Sequence, residues 1–286
     1  MIKLAVILCG GLGTRLNSLT KNTPKGMITV SKKPFLEHLI LQLKENNIKK
    51  VLLLTGFKSE KIYNYFGDGK KFGIKIMYSF SDLETQTMKR IYNARKIIKN
   101  NFILLYSDNY YPLNLQKLYY YFKKQKKPIC INLCKKNFGN FKFNSNNIEY
   151  SKNRKKKFNY VEIGYSIFNK KILNYIPSNN LDLKYFLEKM IKKKKISFFK
   201  NYHKYLSISD RKRLELTRTY FLNKNIVLID RDGTLNKKLP GKRYLTNASE
   251  ISLNFRLVNI IKKFKNIEYI CITNQAGVAT KDLSQK

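Results

Sequence analysis

Acidic side chains are scarce in this sequence. Asp and Glu total 18 against 58 Lys and Arg in 286 residues, which leaves a formal charge of +40. A balance this basic directs attention to nucleic acid or an anionic membrane. The cations do not form a patch, however. They lie on nearly every polar face, as at Lys123-Lys124, Arg154 to Lys157 and Lys192 to Lys195. The chain is crowded with Lys, Asn, Ile, Tyr and Phe, the residues of A/T-rich codons, so the charge reads as compositional. No specific nucleic-acid partner is expected, although the positive field favours anionic substrates. Cysteine is equally sparse. Cys9, Cys130, Cys134 and Cys271 lie in or beside apolar runs with no CxxC pair, which speaks against a zinc or disulfide framework and for buried free thiols. Cys130 and Cys134, four apart in the strand-like PICINLC, face the same side. No apolar run of 18 residues is present, so no membrane span is expected. The N-terminus enters a strand directly, without the charged-then-apolar pattern of a secretory leader, and a cytoplasmic protein is expected.

Hydrophobic residues make up 43% of the chain, enough for a sizeable core, and the length suits one large or two smaller domains. The chemistry concentrates in Leu4 to Lys25, LAVILCGGLGTRLNSLTKNTPK. The apolar run Leu4 to Leu8 reads as a buried parallel strand. Gly10, Gly11 and Gly13 follow at once, then Thr14, Arg15 and Lys25. Glycines let the backbone curl so that successive N–H groups point into one concavity, a natural seat for phosphate oxygens. Arg15 and Lys25 add cations that suit a polyphosphate. The loop is not a Walker A motif, because no Lys-Ser/Thr follows the glycines. Nor is it a dinucleotide fingerprint, because Leu16 stands where the third glycine belongs.

Gly10-Gly11-Leu12-Gly13-Thr14-Arg15-Leu16 followed by Thr23-Pro24-Lys25 resembles the signature of the sugar-1-phosphate nucleotidyltransferases, the heptose 1-phosphate guanylyltransferases among them. The resemblance covers about Met1 to Tyr220. It implies an α/β fold, a Rossmann-like mixed sheet flanked by helices, over residues 1–222. It also implies a nucleoside triphosphate and a sugar 1-phosphate as partners and Mg2+ as cofactor, and it leaves a homo-oligomer open. On this resemblance Leu8, Gly10, Gly11, Gly13, Thr14, Gln86 and Thr87 would bind the nucleotide. Arg15 and Lys25 would be catalytic, Arg15 on the leaving pyrophosphate and Lys25 on the transferring phosphates.

The hydrophobic pattern beyond the loop alternates helices and strands. Pro34 opens a helix carrying Leu36, Leu39, Ile40 and Leu43, and Ser59 is placed to cap another. Strands are expected at Val51 to Leu54, Ile74 to Tyr78 and Phe102 to Tyr106, and a helix at Ile91 to Ile98. Such alternation predicts a parallel sheet covered on both faces, with ligands beyond the carboxyl ends of its strands. Asp108 stands just past one such end, where a carboxylate can hold Mg2+. The family resemblance gives it the same role. Gln86-Thr87 replaces the Gly-Thr pair usual in the family, so the choice of base is open. The resemblance makes Gly139, Lys152 and Glu162 sugar-binding, and Ser145 to Asn147 reads as a turn between short strands. Leu183, Phe186, Leu187, Met190 and Ile191 form a helical core stripe. Where the family usually has a second metal aspartate, this chain has Ser207, and nearby Asp210 is expected to cap a helix.

A second domain is expected at residues 225–286. Ile226 to Ile229 reads as a strand ending in Asp230-Arg231-Asp232-Gly233-Thr234. Two carboxylates two apart before a glycine turn suit phosphoryl transfer, one as nucleophile and metal ligand, the other as acid. This resembles the first motif of the haloacid dehalogenase-type (HAD) phosphatases, close to those acting on heptose bisphosphate and histidinol phosphate. Tyr269 to Ile272 followed by Thr273-Asn274-Gln275-Ala276-Gly277-Val278 resembles the second. The resemblance makes Asp230 and Asp232 catalytic and metal-binding, and Thr273 and Asn274 phosphate-binding. The later lysine and acidic pair of that family are not found before Lys286, so a partial, inactive HAD-like α/β unit is expected. The activity anticipated for the whole is nucleotidyl transfer from a triphosphate to a sugar 1-phosphate, D-glycero-D-manno-heptose 1-phosphate with GTP by analogy, for cell-surface polysaccharide such as lipopolysaccharide. The alternatives are a phosphosugar phosphatase acting through Asp230 and a degenerate, non-enzymatic basic binding protein.

Overall fold

The computed structural model describes residues 1–144, 148–201, 203–222, 225–238, 240, 248–264 and 267–273. The chain divides into two compact units, Met1–Thr219 and Tyr220–Lys286.

In the first unit the apolar run Leu4–Leu8 is buried at every residue, as a central parallel strand must be. It pairs in parallel with Lys50–Thr55 on one side and Phe102–Tyr106 on the other, and Lys50–Thr55 pairs in parallel with Lys75–Phe80. Helices Phe35–Glu45, Ser59–Phe66 and Thr87–Asn93 lie between these strands in sequence, as crossovers between parallel strands require. Past Phe102–Tyr106 the sheet becomes antiparallel, through Ser166–Phe168, Ile129–Lys135, Tyr160–Glu162, Gly139–Phe143 and Ile148–Lys155. A tenth strand, Ile196–Asn201, runs parallel to Ile129–Lys135. The fold is thus a mixed α/β sheet, parallel where strands alternate with helices and antiparallel where short strands follow one another.

The helices bury the faces their sequences prescribe. Phe35–Glu45 buries Phe35, Leu36, Leu39, Ile40 and Leu43. Leu183–Lys192 buries Leu183, Phe186, Leu187 and Met190. Asn114 and Asp182 cap their helices by accepting from the backbone N–H of Lys117 and Lys184. Asp210 does the same for Arg211–Leu222, accepting from Arg213 N at 3.0 Å. The expected Ser59 cap is not formed. Lys58 occupies the N-cap in the left-handed region (φ 49) and Ser59 is already helical. Cys9, Cys130 and Cys134 are buried, and burial pushes the thiols of Cys9 and Cys130 up to about 12, where they are inert. Cys271 departs from expectation and is exposed on the strand Ile267–Ile272. The Ser145 to Asn147 turn lies outside the described residues.

The second unit pairs Asn225–Asp230 in parallel with Ile267–Ile272, and the helix Phe255–Ile261 lies between them in sequence. Ile226, Leu228, Ile270 and Ile272 are exposed on this small sheet. Among the described residues no helix is long and apolar enough to cross a membrane.

Candidate active site

Parallel strands that end side by side leave a crevice at their carboxyl ends. Here the ends of Leu4–Leu8 and Phe102–Tyr106 open into a cavity of about 400 Å³. Leu8, Gly10, Gly11, Gly13, Thr14, Arg15, Lys25, Gln86, Thr87 and Asp108 all line it, so residues up to a hundred positions apart in sequence meet in one place. Gly13 takes φ 68, a conformation that favours glycine, and a Cβ added at Gly11 would meet nothing. The backbone N–H groups of Gly10, Gly11, Leu12 and Gly13 donate to no acceptor among the described residues. The loop therefore brings unpaired backbone donors to the edge of an open cavity, which Gly10, Gly11 and Gly13 line.

Lys25 Nζ lies 2.5 Å from Asp108 Oδ2, with the two side chains 12% and 21% exposed. Arg15 is exposed on the cavity wall and forms no ion pair or hydrogen bond among the described residues. A second cavity, about 340 Å³, adjoins the first, and Arg15, Thr87, Tyr106 and Asp108 line both. Its other walls include Asn140, Lys152, Glu162, Asp182, Lys184 and Ser207. Glu162, half-buried, accepts from Tyr106 Oη at 2.6 Å and from Gly164 N at 2.7 Å. Burial pushes its carboxyl up to about 7; those two hydrogen bonds and Arg154 oppose the rise, and Asp108 adds to it. Lys152 pairs with Glu188 at 3.1 Å and lies over the Tyr185 ring.

Gly139 lines neither cavity. A Cβ on Gly139 would sit 2.1 Å from the carbonyl oxygen of Tyr160, so this glycine serves the close approach of two strands. Its neighbour Asn140 is the residue that lines the second cavity. Ser207 does stand beside Asp108, since Leu206–Ser207 pairs with Asn109–Tyr110 and Ile208 N donates to Asp108 O. Its hydroxyl is buried and accepts from Ser209 N. The donor set is therefore one carboxylate with a neutral hydroxyl next to it. That set fits a Mg2+ completed by substrate phosphate oxygens, which is how this ion is commonly held. Among the described residues no cluster of three or more His, Cys, Asp or Glu could hold a metal by itself.

Sequence reasoning missed Arg90, which also lines the first cavity while only 5% exposed. It lies one residue off the apolar stripe of Met88, Ile91 and Ala94, and nothing local marks it as buried.

In the second unit Asp230, Asp232 and Thr273 come together at two adjacent strand ends. Thr234 Oγ1 donates to Asp230 at 3.4 Å and Thr273 Oγ1 to Asp232 at 3.3 Å. Arg231 holds Asp232 through two hydrogen bonds of 2.9 Å, and this pairing keeps its carboxyl below the usual range. Asn274 lies outside the described residues.

A protein-family model described as nucleotidyl transferase matches residues 4–211. The D-glycero-alpha-D-manno-heptose 1-phosphate guanylyltransferase of Campylobacter jejuni is 41% identical over 129 residues, 45% of this chain and 56% of that protein. Its counterpart from Aneurinibacillus thermoaerophilus is 37% identical over 116 residues, 40% of this chain and 50% of that protein. The chain thus spans about half the length of these curated relatives. Among solved structures, HddC from Yersinia pseudotuberculosis superposes with a TM-score of 0.65 at 23% identity, over 77% of this chain and 100% of that one. At that identity the likeness is one of fold.

Proposed function

This chain belongs to the nucleotidyl transferase family, and we propose that it joins a sugar 1-phosphate to a nucleoside triphosphate with release of pyrophosphate. The carrying observation is that Arg15 and Asp108 line both cavities, one bordered by the glycine loop and the other by Glu162. On this reading the triphosphate lies along the unpaired amides of the glycine loop and the base lies against Gln86 and Thr87. The sugar occupies the second cavity, with Glu162 accepting from its hydroxyls. A phosphate oxygen of the sugar 1-phosphate attacks the α-phosphorus in line, and the bond to the pyrophosphate oxygen breaks. The nucleophile is already anionic, so no general base is needed. Rate acceleration comes from positioning and charge neutralisation. Arg15 neutralises the leaving pyrophosphate, and Lys25 contacts the transferring phosphates. Asp108 would hold Mg2+, which supplies further neutralisation of phosphate charge when bound.

The relatives named above favour D-glycero-D-manno-heptose 1-phosphate and GTP as the pair. A pyrophosphate-release screen over four triphosphates and several sugar 1-phosphates tests this directly. Release in the wild type and its loss in Arg15→Ala are expected; wild-type turnover in a folded Arg15→Ala protein refutes the assignment. For the second unit we read a HAD-type phosphatase-like fold. Asp232 held bidentately by Arg231 is unsuited to give up a proton, so no phosphate release from a phosphosugar is expected without nucleotide. Release that is abolished by Asp230→Asn would reverse that reading.

A further inference from the structure

The loop of residues 81–86 carries no regular secondary structure, yet with the first residue of the next helix it supplies Leu83, Thr85, Gln86 and Thr87 to one wall of the first cavity. What holds it is the side chain of Arg90. The guanidinium uses four of its five N–H donors on backbone carbonyls: Nε on Thr85 at 2.9 Å, Nη1 on Thr55 at 2.8 Å and Ser81 at 3.0 Å, and Nη2 on Asp82 at 2.7 Å. Thr55 ends one strand of the parallel sheet and Phe80 ends the next, so the fork ties two strand ends to the loop. The glycine loop rests on the same group. A Cβ at Gly10 would lie 2.3 Å from Arg90 Nη1, and one at Gly56 would lie 2.8 Å from it. From the far side Asn180 grips the loop, accepting from Gln86 N at 2.7 Å and donating to Glu84 O at 2.9 Å.

A cation this buried is costly unless its hydrogen bonds are satisfied. Here carbonyls satisfy it, and a satisfied buried network rigidifies what it joins. We propose that Arg90 is a positioning residue that fixes the nucleobase wall, Gln86 and Thr87 included, and thereby sets the choice of base. The inference rests on the reading that this cavity takes the nucleotide. It depends on the planar fork as well as on charge, since Lys has its donors on a single nitrogen and cannot span four carbonyls spread over a strand end and the loop.

The test compares the wild type with Arg90→Lys, Arg90→Met and Gly56→Ala. Gly56→Ala, at a residue that lines neither cavity, pushes a methyl against the guanidinium and against the backbone carbonyls of Gly10 and Ser81 that border it, so it disturbs the same junction without removing the arginine. KM and kcat are measured for each of four triphosphates, nucleotide affinity is measured by calorimetry without sugar, and circular dichroism checks folding. Displacing a positioned wall by about an ångström costs on the order of 100-fold where it contacts the ligand. All three variants are therefore expected to raise KM for the preferred triphosphate at least about 10-fold and to shrink the preference over the next base by a similar factor. The kcat at saturation should stay within about 3-fold, because Arg15, Lys25 and Asp108 are untouched. A merely structural arginine would lower the folded fraction without changing the ratio between bases. Wild-type discrimination in folded Arg90→Lys, or in folded Gly56→Ala should the Arg90 variants fail to fold, overturns the proposal. A wild type that binds no nucleotide and releases no pyrophosphate overturns the functional reading, and this inference with it. A selective wild type with equally selective variants overturns this inference alone.

Discussion

Glu162→Gln isolates the effect of a carboxylate placed at the wall of the second cavity. In the wild type both carboxylate oxygens accept, one from Tyr106 Oη and one from Gly164 N. Gln can keep the bond from Gly164 and donate to the Tyr106 hydroxyl, so the packing is preserved while the ionisable proton is removed. Burial raises the folded carboxyl from 4.5 to about 7. Between those values the unfolded chain releases a proton that the folded protein retains. Stability therefore falls as pH rises through this window and is level above it. At about 1.4 kcal/mol per pH unit the gap corresponds to roughly 3 kcal/mol. The carboxyl borders an open cavity, and solvent screening reduces the expectation to about 1–2 kcal/mol. Urea unfolding at pH 5 and pH 8 measures it. The wild type should lose about 1–2 kcal/mol more between the two than Glu162→Gln does, since every other titrating group is common to both. Parallel pH dependences would show that Glu162 is already ionised at pH 5 and would refute the burial argument.

Lys25→Met removes the cation that touches Asp108 and is expected to lower kcat/KM for pyrophosphate release by about 100- to 1,000-fold. Its stability should also fall, by about 1–3 kcal/mol, because the pair is largely buried and Asp108 loses its charged partner. Turnover close to wild type would show that Lys25 is only a partner for Asp108. Gly139→Ala drives a methyl into the Tyr160 carbonyl and should destabilise the folded protein by about 1–3 kcal/mol in a denaturation experiment. The folded fraction should keep its KM for sugar phosphate, and a raised KM with unchanged stability would show that Gly139 acts on the sugar and not on strand packing.

Much of the first cavity was legible because its parts are local. A five-residue apolar run is a buried strand whatever surrounds it, and the glycines after it can only mark a tight backbone path. Asp108 followed from the rule that ligands gather at strand ends, and the structure brings it to Lys25 across 83 positions of sequence. The antiparallel half of the sheet was less legible. Its strands are short, and Tyr160–Glu162 and Ser166–Phe168 have three residues each, too few to show a period. Ser59 failed as a cap because the chain enters that helix through a left-handed Lys58, which no propensity anticipates. Gly139 marks a close approach, as glycine in a strand should, and the neighbour it meets is the strand carrying Tyr160.

The least legible features were charges whose surroundings are assembled from distant segments. Arg90 is unremarkable in sequence, where charged residues are assigned to water by default, and Glu162 stands out there only through the family resemblance, with nothing local to mark it as buried. In the fold one is ringed by carbonyls and the other is held by a phenol and an amide. Charges more than about 8 Å apart are largely screened at physiological salt, so most of the lysines do not act on a bound substrate. What acts is the local balance. Among the described residues, the first cavity is lined by Arg15, Lys25 and Arg90 against Asp108. The second sets Arg15, Lys152, Arg154, Lys184 and Arg213 against Asp108, Glu162 and Asp182. Each cavity therefore carries a small cationic surplus, matched to phosphate groups entering it and independent of the charge on the rest of the chain. An acidic replacement of surface lysines far from both cavities should accordingly leave the substrate KM values unchanged, whereas one within a Debye length of Arg15 should raise them.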